Sequence, residues 1–597
     1  MTPIRYSIVP KNPAAHLFEV TVTVEHPAPE GQRFMLPVWI PGSYMVREFA
    51  RNIVTLRAFN EQGRRVRVTK TDKHAWQAAP VKGALTLRYE VYAWDLSVRA
   101  AHLDDTVGFF NGTSVFLAAL GHEDAPCVVD IRRPEGEAAR RWRVATALTE
   151  ARGTKRYGWG EYVAANYDEL IDHPVTLGEF ALATFKAHGV AHDIVISGRV
   201  VGLDMDRLAA DLQKICEAQI ALFEPRTKRA PVERYVFMTL AVSDGYGGLE
   251  HRASTALICN RSDLPVKGKT PMSEGYRTYL GLCSHEYFHT WNVKRIKPAA
   301  FAPYDLTREN YTSLLWLFEG FTSYYDDLIL VRSGVIGIDD YFGLLGKTIG
   351  GVLRGAGRFK QSVAESSFDA WVKYYRQDEN APNAIVSYYT KGSLVALAFD
   401  LAIRAQTNGR KSLDDVMRLL WQRYGRDFYR SGNAVGVGED DVAALIEEAT
   451  GVSLGGLFTE AVNGTRDLPL AALFAPFGVT LGGEPESGAK PSLGARVRGG
   501  GDVTLAVAFE GGAAQKAGLS AGDVLVAIDG LRVTGANLDA LLGRYQPGAK
   551  VEVHAFRRDE LRVARLTLDA PEVARYKLVI TDKRAAAGKL RERWLMR

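Results

Sequence analysis

The chain has 597 residues, of which 47% are hydrophobic and 24% are charged, a composition typical of globular proteins. Its 74 basic and 69 acidic residues leave a net charge of +5, which gives no electrostatic reason to expect nucleic acid or an anionic membrane as a partner. One hydrophobic core does not extend over this length, so we expect about three or four domains.

The start of the chain and its cysteines predict a cytoplasmic protein, although a cleaved precursor would look the same. The first residues, MTPIRYSIVP, lack the basic and apolar run of a secretory signal, and no stretch approaches the roughly 18 apolar residues of a membrane-spanning helix. The four cysteines are far apart and have no paired spacing, so we predict buried thiols at Cys127, Cys216, Cys259 and Cys283.

Residues 1–172 alternate apolar and polar positions in short runs such as FEVTVTVEH and NIVTLRAF, separated by turn residues. Such alternation is typical of half-buried strands, and it predicts an all-β, sandwich-like domain. In residues 173–470, strands come first and helices follow, which indicates an α+β catalytic domain. Its first long helix, LDMDRLAADLQKICEAQIALFE, starts near Asp204 or Asp206. Further helices are predicted over 272–296, 311–333, 339–352, 383–406 and 412–424.

Residues 475–571 mix short strands with turns that contain glycine, and they predict a separate small domain. The stretch LGGEPESGAKPS near its start is rich in Gly and Pro, so we expect an exposed link there. Residues 572–597 form a C-terminal tail, in which we predict a strand and a basic helix.

The segment CSHEYFHTWNVKRI contains two histidines four positions apart, His285 and His289, with Glu286 directly after the first. We predict that one helix carries them and ends at Pro298. Positions i and i+4 share one helix face, so the two imidazoles can point at one metal ion, while Glu286 reaches the reacting water. This spacing favours zinc, and the alternative is a pair of hydrogen-bonded core or surface histidines.

A catalytic zinc ion needs a third protein ligand and an open position. Glu319 lies in the apolar, helix-forming run TSLLWLFEGFTSYYDDL, where burial of a carboxylate is costly unless it is paired or bound to metal. We therefore predict one zinc ion per chain, held by His285, His289 and Glu319. The alternative for Glu319 is a partly exposed surface charge.

The runs HEYFHTWNVKRIKP and LLWLFEGFTSYY resemble the gluzincin metallopeptidases, and WIPGSYMVREFARNI narrows the resemblance to the glycyl aminopeptidase family with a C-terminal PDZ domain. The resemblance covers nearly the whole chain. It implies a thermolysin-like catalytic domain and a zinc aminopeptidase that favours N-terminal glycine and alanine. The segment 290–318 is longer than its counterpart in the larger aminopeptidase family of this clan, as the glycyl aminopeptidase pattern requires.

The run GYGGLEH resembles the G-x-M-E-N strand of zinc aminopeptidases. The resemblance implies that Glu250 binds the free α-ammonium group of the substrate and that Gly247 and Gly248 belong to the substrate-binding strand, while His251 replaces the usual Asn. A carboxylate at the closed end of a groove selects a positively charged N-terminus. The alternative is a hairpin turn with an exposed Glu.

The run VSYYTKGSLVALAF resembles the Y-x-K-G stretch of aminopeptidases. The resemblance implies that Tyr389 stabilises the oxyanion, with Tyr388 as the alternative. Asp326, two helical turns after Glu319, would accept a hydrogen bond from a zinc-bound histidine, as a similar acidic residue does in related enzymes. Asp327, or plain surface exposure, competes with this interpretation.

The runs SLGARV and AAQKAGLSAGDVLVAIDG resemble bacterial PDZ domains, with Gly518 and Gly522 shaping turns. A PDZ groove binds the C-terminus of a peptide as an added strand, although such a domain could also only pack on the catalytic unit.

Three functions are compatible with these features. The leading one is a zinc aminopeptidase that acts on peptides with a free N-terminus. The second is an endopeptidase of the same clan, and Glu250 argues against it because a carboxylate there repels an internal peptide. The third is a peptide-binding adaptor with structural zinc, and Glu286 argues against it because a structural site has no use for a general base.

Overall fold

The computed structural model describes residues 1–136, 138–430, 434–484, 490–499, 501–573 and 575–596. The chain divides into two compact units. The first unit contains residues 1–310, 333–335 and 417–438, and the second contains residues 311–332, 336–416 and 439–597. Within the described ranges, no helix is long and apolar enough to cross a membrane. All four cysteines are buried and free, as predicted.

The first part of the first unit is rich in β-strands, as predicted. Its elements are β1 (Ile4–Asn12), β2 (Leu17–Val24), β3 (Arg33–Met35), β4 (Ile53–Asn60), β5 (Arg65–Val66), β6 (Val68–Asp72), β7 (Ala75–Ala78), β8 (Leu85–Tyr92), β9 (Ala101–Leu103), β10 (Val107–Phe110), α1 (Gly112–Val115), β11 (Ala118–Ala119), β12 (Cys127–Ile131), β13 (Arg143–Thr146), β14 (Thr149–Glu150), β15 (Gly160–Ala164), α2 (Tyr167–Ile171) and β16 (Val175–Gly178).

Three sheets organise these strands. The largest has eight strands in the order β14-β15-β12-β1-β2-β8-β4-β5, with β1 and β12 parallel and the other pairs antiparallel. Two four-stranded sheets have the orders β13-β16-β10-β9 and β11-β3-β7-β6. Every second residue of β2 is buried, which is why its sequence alternates. The three sheets contribute to one hydrophobic core, which contains Val20, Phe34 and Phe110.

A five-stranded sheet follows in the first unit. Its elements are β17 (Phe180–Ala187), β18 (Val190–Ser197), α3 (Met205–Phe223), β19 (Arg234–Val242), β20 (Gly247–Glu250), β21 (Ser254–Asn260) and α4 (Glu274–Phe288). The strand order is β17-β18-β19-β21-β20, so β20 is an edge strand, antiparallel to β21. Asp204 caps α3 by accepting a hydrogen bond from the Arg207 N–H, and Ser273 caps α4 in the same way through the Tyr276 N–H.

The helix with the two histidines is shorter than predicted. It ends at Phe288, with His289 as its C-cap, and does not continue to Pro298. The backbone then turns sharply, with φ of 141° at Val293. Thr290, Asn292 and Val293 are weak helix formers, and every side chain from 289 to 298 is buried, including charged ones that need particular partners. Lys294 binds Asp172, and Arg295 binds the carbonyl oxygens of Arg252 and Pro231. These distant partners, rather than helix propensity, decide the backbone after Phe288.

Helices dominate the first part of the second unit. They are α5 (Phe321–Arg332), α6 (Ile338–Arg354), α7 (Val363–Phe368), α8 (Ala381–Ala384), α9 (Thr390–Gln406), α10 (Leu413–Leu420, which continues into the first unit), α11 (Val442–Thr450), α12 (Gly455–Asn463) and α13 (Leu470–Phe474). Two predicted helices start later than expected: α9 begins at Thr390, and a π-helical turn, Trp316–Gly320, leads into α5. A second π-helical turn, Trp421–Gly425, follows α10.

The end of the second unit contains a two-stranded and a six-stranded sheet. The elements are β22 (Val479–Glu484), β23 (Ala495–Arg498), β24 (Val503–Ala508), α14 (Ala513–Lys516), β25 (Val524–Ile528), β26 (Leu531–Arg532), α15 (Leu538–Leu542), β27 (Lys550–Arg557), β28 (Glu560–Thr567), β29 (Arg575–Ile580) and α16 (Ala585–Leu595). The six-stranded sheet has the order β23-β24-β25-β27-β28, with β26 beside β25.

The tail contains the predicted strand and helix, and both are packed against the rest of the second unit. Strand β29 pairs with β22, although all strands of the six-stranded sheet lie between these two strands in the sequence. Trp594 of α16 is fully buried, and its indole N–H donates to the Tyr324 hydroxyl at 3.1 Å. Of the stretch predicted as an exposed link, 481–484 belongs to β22, and 485–489 lies outside the described residues.

Candidate active site

Helix α4 presents two imidazoles side by side. The ring centroids of His285 and His289 are 4.7 Å apart, and their planes are inclined by 84°. His289 is buried, and its Nδ1 lies 2.7 Å from the carbonyl oxygen of Asn292. A ring nitrogen that faces a carbonyl carries the proton, so the lone pair of this ring is on Nε2, in the form that a metal ligand needs. The shortened helix therefore still supplies the i, i+4 pair.

Glu250 ends the edge strand β20 and lies close to the same helix. One ligand atom from each of Glu250, Glu286 and His289 lies within 4.8 Å of the other two. All three residues are buried, with exposed fractions of 4%, 5% and 1%. The exposed-hairpin alternative for Glu250 is therefore wrong. Two carboxylates and an imidazole share a small volume between strand β20 and helix α4.

Two glycines make room for these carboxylates. A Cβ atom on Gly248 would overlap the carboxylate of Glu286, so a side chain at this position of β20 would displace it. A Cβ atom on Gly42 would lie 2.5 Å from each carboxylate oxygen of Glu250, and Gly42 also has a positive φ of 94°. Gly42 belongs to the run WIPGSYMVREF, for which the sequence analysis predicted no chemical role. This loop helps to enclose Glu250.

A buried ionic network lies next to Glu250 in the chain. Asp172 accepts hydrogen bonds from Lys294 Nζ at 2.7 Å and from Arg252 Nε at 2.8 Å, and the oxygen that binds Lys294 also lies 3.2 Å from His251 Nδ1. Burial acts to raise the pKa of Asp172, but the charges of Lys294 and Arg252 outweigh it and hold the pKa well below its usual range. Burial lowers the pKa of His251 to about 4, so this imidazole is neutral at pH 7. The network anchors the backbone that follows Glu250.

In the second unit, Glu319 is almost fully buried, with 1% of its surface exposed, on the π-helical turn before α5. The partly exposed alternative for Glu319 is therefore wrong. A Cβ atom on the next residue, Gly320, would lie 2.6 Å from Gly392 and 2.9 Å from the Tyr388 carbonyl oxygen. The turn with Glu319 thus packs closely against the start of α9. Such π-helical turns occur frequently at functional sites.

The two candidate tyrosines differ in exposure. Tyr388 is fully buried and packs against Tyr374 and Tyr389, with ring centroids 4.7 and 4.8 Å away. Tyr389 is half-buried, and its hydroxyl lies 3.3 Å from that of Tyr375. Burial raises the pKa of Tyr374, and the charge of Glu319 also acts to raise it, so this tyrosine cluster is close to Glu319. Asp326 on α5 is half-buried and accepts a hydrogen bond from the Asp327 N–H. Its hydrogen bond from a zinc-bound histidine stays a prediction.

Comparison with known proteins identifies relatives over the whole chain. A family model described as the peptidase M61 N-terminal domain matches residues 5–179, and one described as M61 glycyl aminopeptidase matches residues 278–395. The crystal structure of an aminopeptidase N family protein from Idiomarina loihiensis is 42% identical, with a TM-score of 0.94, and the match covers 100% of both chains.

A more distant match is an M1 zinc metallopeptidase from Deinococcus radiodurans, in a mutant form bound to a Tyr-Ser-Ala substrate. It is 16% identical, and the match covers 79% of this chain and 95% of that chain, with a TM-score of 0.47. No curated protein sequence was found to match the chain.

Proposed function

Since the chain belongs to the M61 family of glycyl aminopeptidases, we propose that it is a zinc-dependent aminopeptidase that removes small N-terminal residues, glycine or alanine, from peptides. Membership of the family supports a peptidase. The exopeptidase specificity rests on one observation above all, the buried cluster of Glu250, Glu286 and His289 between strand β20 and helix α4.

The proposed zinc ligands are His285, His289 and Glu319, for one ion per chain. Two imidazoles and one carboxylate are a ligand set that catalytic zinc takes in proteins. The other possible group, Glu250, Glu286 and His289, has one imidazole and two carboxylates, a set that suits zinc less well. The contact from His289 Nδ1 to the Asn292 carbonyl supports the metal-binding tautomer.

When bound, zinc supplies Lewis-acid chemistry: it polarises the scissile carbonyl group and makes a water molecule acidic near pH 7. The chain's own residues would do the rest. Glu286 takes a proton from the attacking water and delivers it to the leaving amine. The Tyr389 hydroxyl donates a hydrogen bond to the developing oxyanion. Its partial exposure supports it over the fully buried Tyr388.

Glu250 would bind the α-ammonium group of the substrate and so set the cleavage position at the first peptide bond. Gly247 and Gly248 lie beside it on an edge strand, whose outer side can accept an extended peptide as an added strand. An internal peptide has no ammonium group for Glu250, so this buried carboxylate disfavours the endopeptidase alternative.

We also propose that residues 475–571 contain a PDZ domain, built on the six-stranded sheet with α14 and α15. Strand β23 is an edge of this sheet. A cavity of about 360 Å³ runs beside it, with Leu493 and Val497 on one side and Leu538 and Leu542 of α15 on the other. A peptide C-terminus could pair with β23 and place its side chains in this cavity.

Glu250→Ala tests the aminopeptidase proposal. A charge-assisted hydrogen bond to the ammonium group is worth about 1.5–3 kcal/mol, and a neutral N-terminus cannot form it. We expect kcat/KM for a glycyl anilide with a free N-terminus to fall by roughly 10²-fold or more, with little change in the small rate on its acetylated analogue. A chelator should abolish both rates.

Glu233→Ala is the matched control, because it removes an exposed carboxylate from the same unit. Both substrates are measured on one zinc-loaded preparation, so that metal loss cannot imitate the effect. Equal losses on the free and the acetylated substrate would mean that Glu250 is structural, and the endopeptidase alternative would then be favoured.

A further inference from the structure

Arg295, in the irregular segment after α4, is a buried guanidinium whose hydrogen bonds all go to carbonyl oxygens and which also lies 5.9 Å from the ring centroid of Tyr429. Only 8% of its surface is exposed. It donates to the carbonyl oxygens of Thr290 at 2.7 Å, Arg252 at 3.0 Å and Pro231 at 3.1 Å. In the part of the chain that the structure describes, no carboxylate forms an ion pair with it.

A buried charge without a counter-charge is unfavourable, because carbonyl dipoles replace hydration but do not neutralise the charge. Burial lowers the pKa of Arg295 to about 10, and the charge of Arg252 acts in the same direction, whereas the charge of Asp172 acts against it. Arg295 therefore stays protonated at pH 7. Asp172 already binds Lys294 and Arg252, so an anion from outside the protein would supply Arg295 with a counter-charge of its own.

Arg295 faces a cavity where such an anion fits. The cavity has a volume of about 330 Å³ and is lined by three further arginines, Arg229, Arg426 and Arg430. Among its described lining residues, Glu224 is the one carboxylate. Glu224 already pairs with Arg426 at 3.0 Å and accepts the Trp421 indole N–H at 2.9 Å. The lining thus keeps an excess of positive charge, and its arginines offer several N–H donors to the same cavity.

We propose that this cavity is an anion-binding site for a phosphate group, either inorganic or carried by a small molecule. Guanidinium groups bind phosphate oxygens in pairs through their planar fork of N–H donors. A phosphate group also brings about 1.5 to 2 negative charges near neutral pH, whereas a carboxylate brings one. The lining has more than one positive charge to balance. The proposal does not depend on the peptidase reaction.

The position of Arg295 connects this site with the candidate active site. Arg295 donates to the carbonyl oxygens of Thr290 and Arg252. Thr290 directly follows His289 in the chain, and Arg252 is two residues after Glu250. An anion that holds Arg295 in place would therefore also hold the backbone next to two residues of the site.

The test measures phosphate binding to the full-length protein by isothermal titration calorimetry, with inorganic phosphate, methyl phosphate and acetate at equal ionic strength. We expect one phosphate site per chain, with acetate much weaker. Methyl phosphate that binds more tightly than inorganic phosphate would assign the site to a phosphorylated molecule, and the reverse order would assign it to the free ion. Either order supports the site.

Arg229→Gln should weaken phosphate binding by about 10- to 100-fold, because it removes a charge-assisted hydrogen bond. Arg226→Gln is the matched control: it makes the same charge change three residues away, at an exposed position that does not line the cavity. Arg426→Gln provides a second variant of a lining arginine. Absence of phosphate binding, or equal weakening by Arg226→Gln and Arg229→Gln, would overturn the proposal.

Discussion

The space between strand β20 and helix α4 and the interior of the C-terminal six-stranded sheet are built in opposite ways. The first holds the buried charged and polar groups Glu250, Glu286 and His289, with Asp172 and Lys294 behind them. The second has a core of Leu, Val, Ile and Ala side chains. Among its described residues, Asp523 is the buried polar group, paired with Arg557 at its border.

The difference separates two reasons for burying a side chain. Aliphatic burial stabilises a fold at about 25 cal/mol per Å² of apolar area removed from water, whereas burial of a charge is unfavourable unless a partner compensates it. Charges therefore collect where chemistry or positioning needs them. Substitutions in the first region should reduce metal binding or turnover and leave the fold intact, and the polar substitution in the second region should reduce stability and leave turnover intact.

Glu319→Ala should have the largest effect. Glu319 is as deeply buried as the groups beside α4, and we propose it as the third zinc ligand. Removing it should release most of the zinc and take activity down to background, since zinc binding needs all three ligands. The far-ultraviolet circular dichroism spectrum should not change, because a buried charge is removed rather than created. Metal analysis of the purified variant measures the loss.

Glu447→Ala, an exposed carboxylate in the same unit, is the control for Glu319→Ala and should keep full zinc content. If Glu319→Ala itself keeps full zinc, the ligand assignment is wrong.

Glu286→Gln should have the next largest effect. The substitution preserves shape and removes the proton acceptor, so kcat should fall by the roughly 10²–10⁴-fold that general-base loss produces. Zinc content and thermal stability should stay at the wild-type level. A variant that loses its zinc together with its activity would identify Glu286 as a ligand or as a structural group, and the assignment of roles within the cluster would have to change.

The parts of this site that the sequence predicted are those with local signatures. The spacing of His285, Glu286 and His289 follows from helix geometry over one turn, and Glu319 stands out as a carboxylate in an apolar run. The groups that were missed are joined over long distances in sequence: Asp172 and Lys294 are 122 residues apart. No local pattern encodes such a contact.

The same limit applies to the fold. Short alternating strands predicted the β-rich first region, because alternation reflects one buried face of each strand. Strands β22 and β29 pair although the whole six-stranded sheet lies between them in the sequence. No local sequence pattern indicates such a pairing. The end of α4 at Phe288 was missed for a related reason: the helical pattern continues beyond it, and the tertiary partners of the charged residues from 294 to 297 decide the backbone instead.

Asp523→Asn should have the smallest effect, and it should lower the stability of the fold rather than metal binding or turnover. Asp523 accepts hydrogen bonds from Arg557 at 2.7 Å through both of its oxygens and from the Ser520 N–H at 2.8 Å. Burial acts to raise its pKa, but the hydrogen bonds and charge of Arg557 outweigh this and hold the pKa below the ordinary value of 3.8. The asparagine should destabilise the sheet by about 1–3 kcal/mol, since it leaves a charged donor without its counter-charge, while peptidase activity is unchanged.

The pH dependence of this last effect follows from the direction of the shift. A carboxylate whose pKa is lower in the folded state than in the unfolded state contributes its full stabilisation above the unfolded value, and loses it as pH falls through the folded value. The stability difference between wild-type protein and Asp523→Asn should therefore be constant from pH 7 down to about pH 5 and shrink below about pH 4. Hydrogen exchange of the β25 and β27 amides, corrected for intrinsic rates, measures it locally. A difference that grows on acidification, or a loss of turnover at pH 7, would place Asp523 with the charged groups of the first region and remove the contrast between the two interiors.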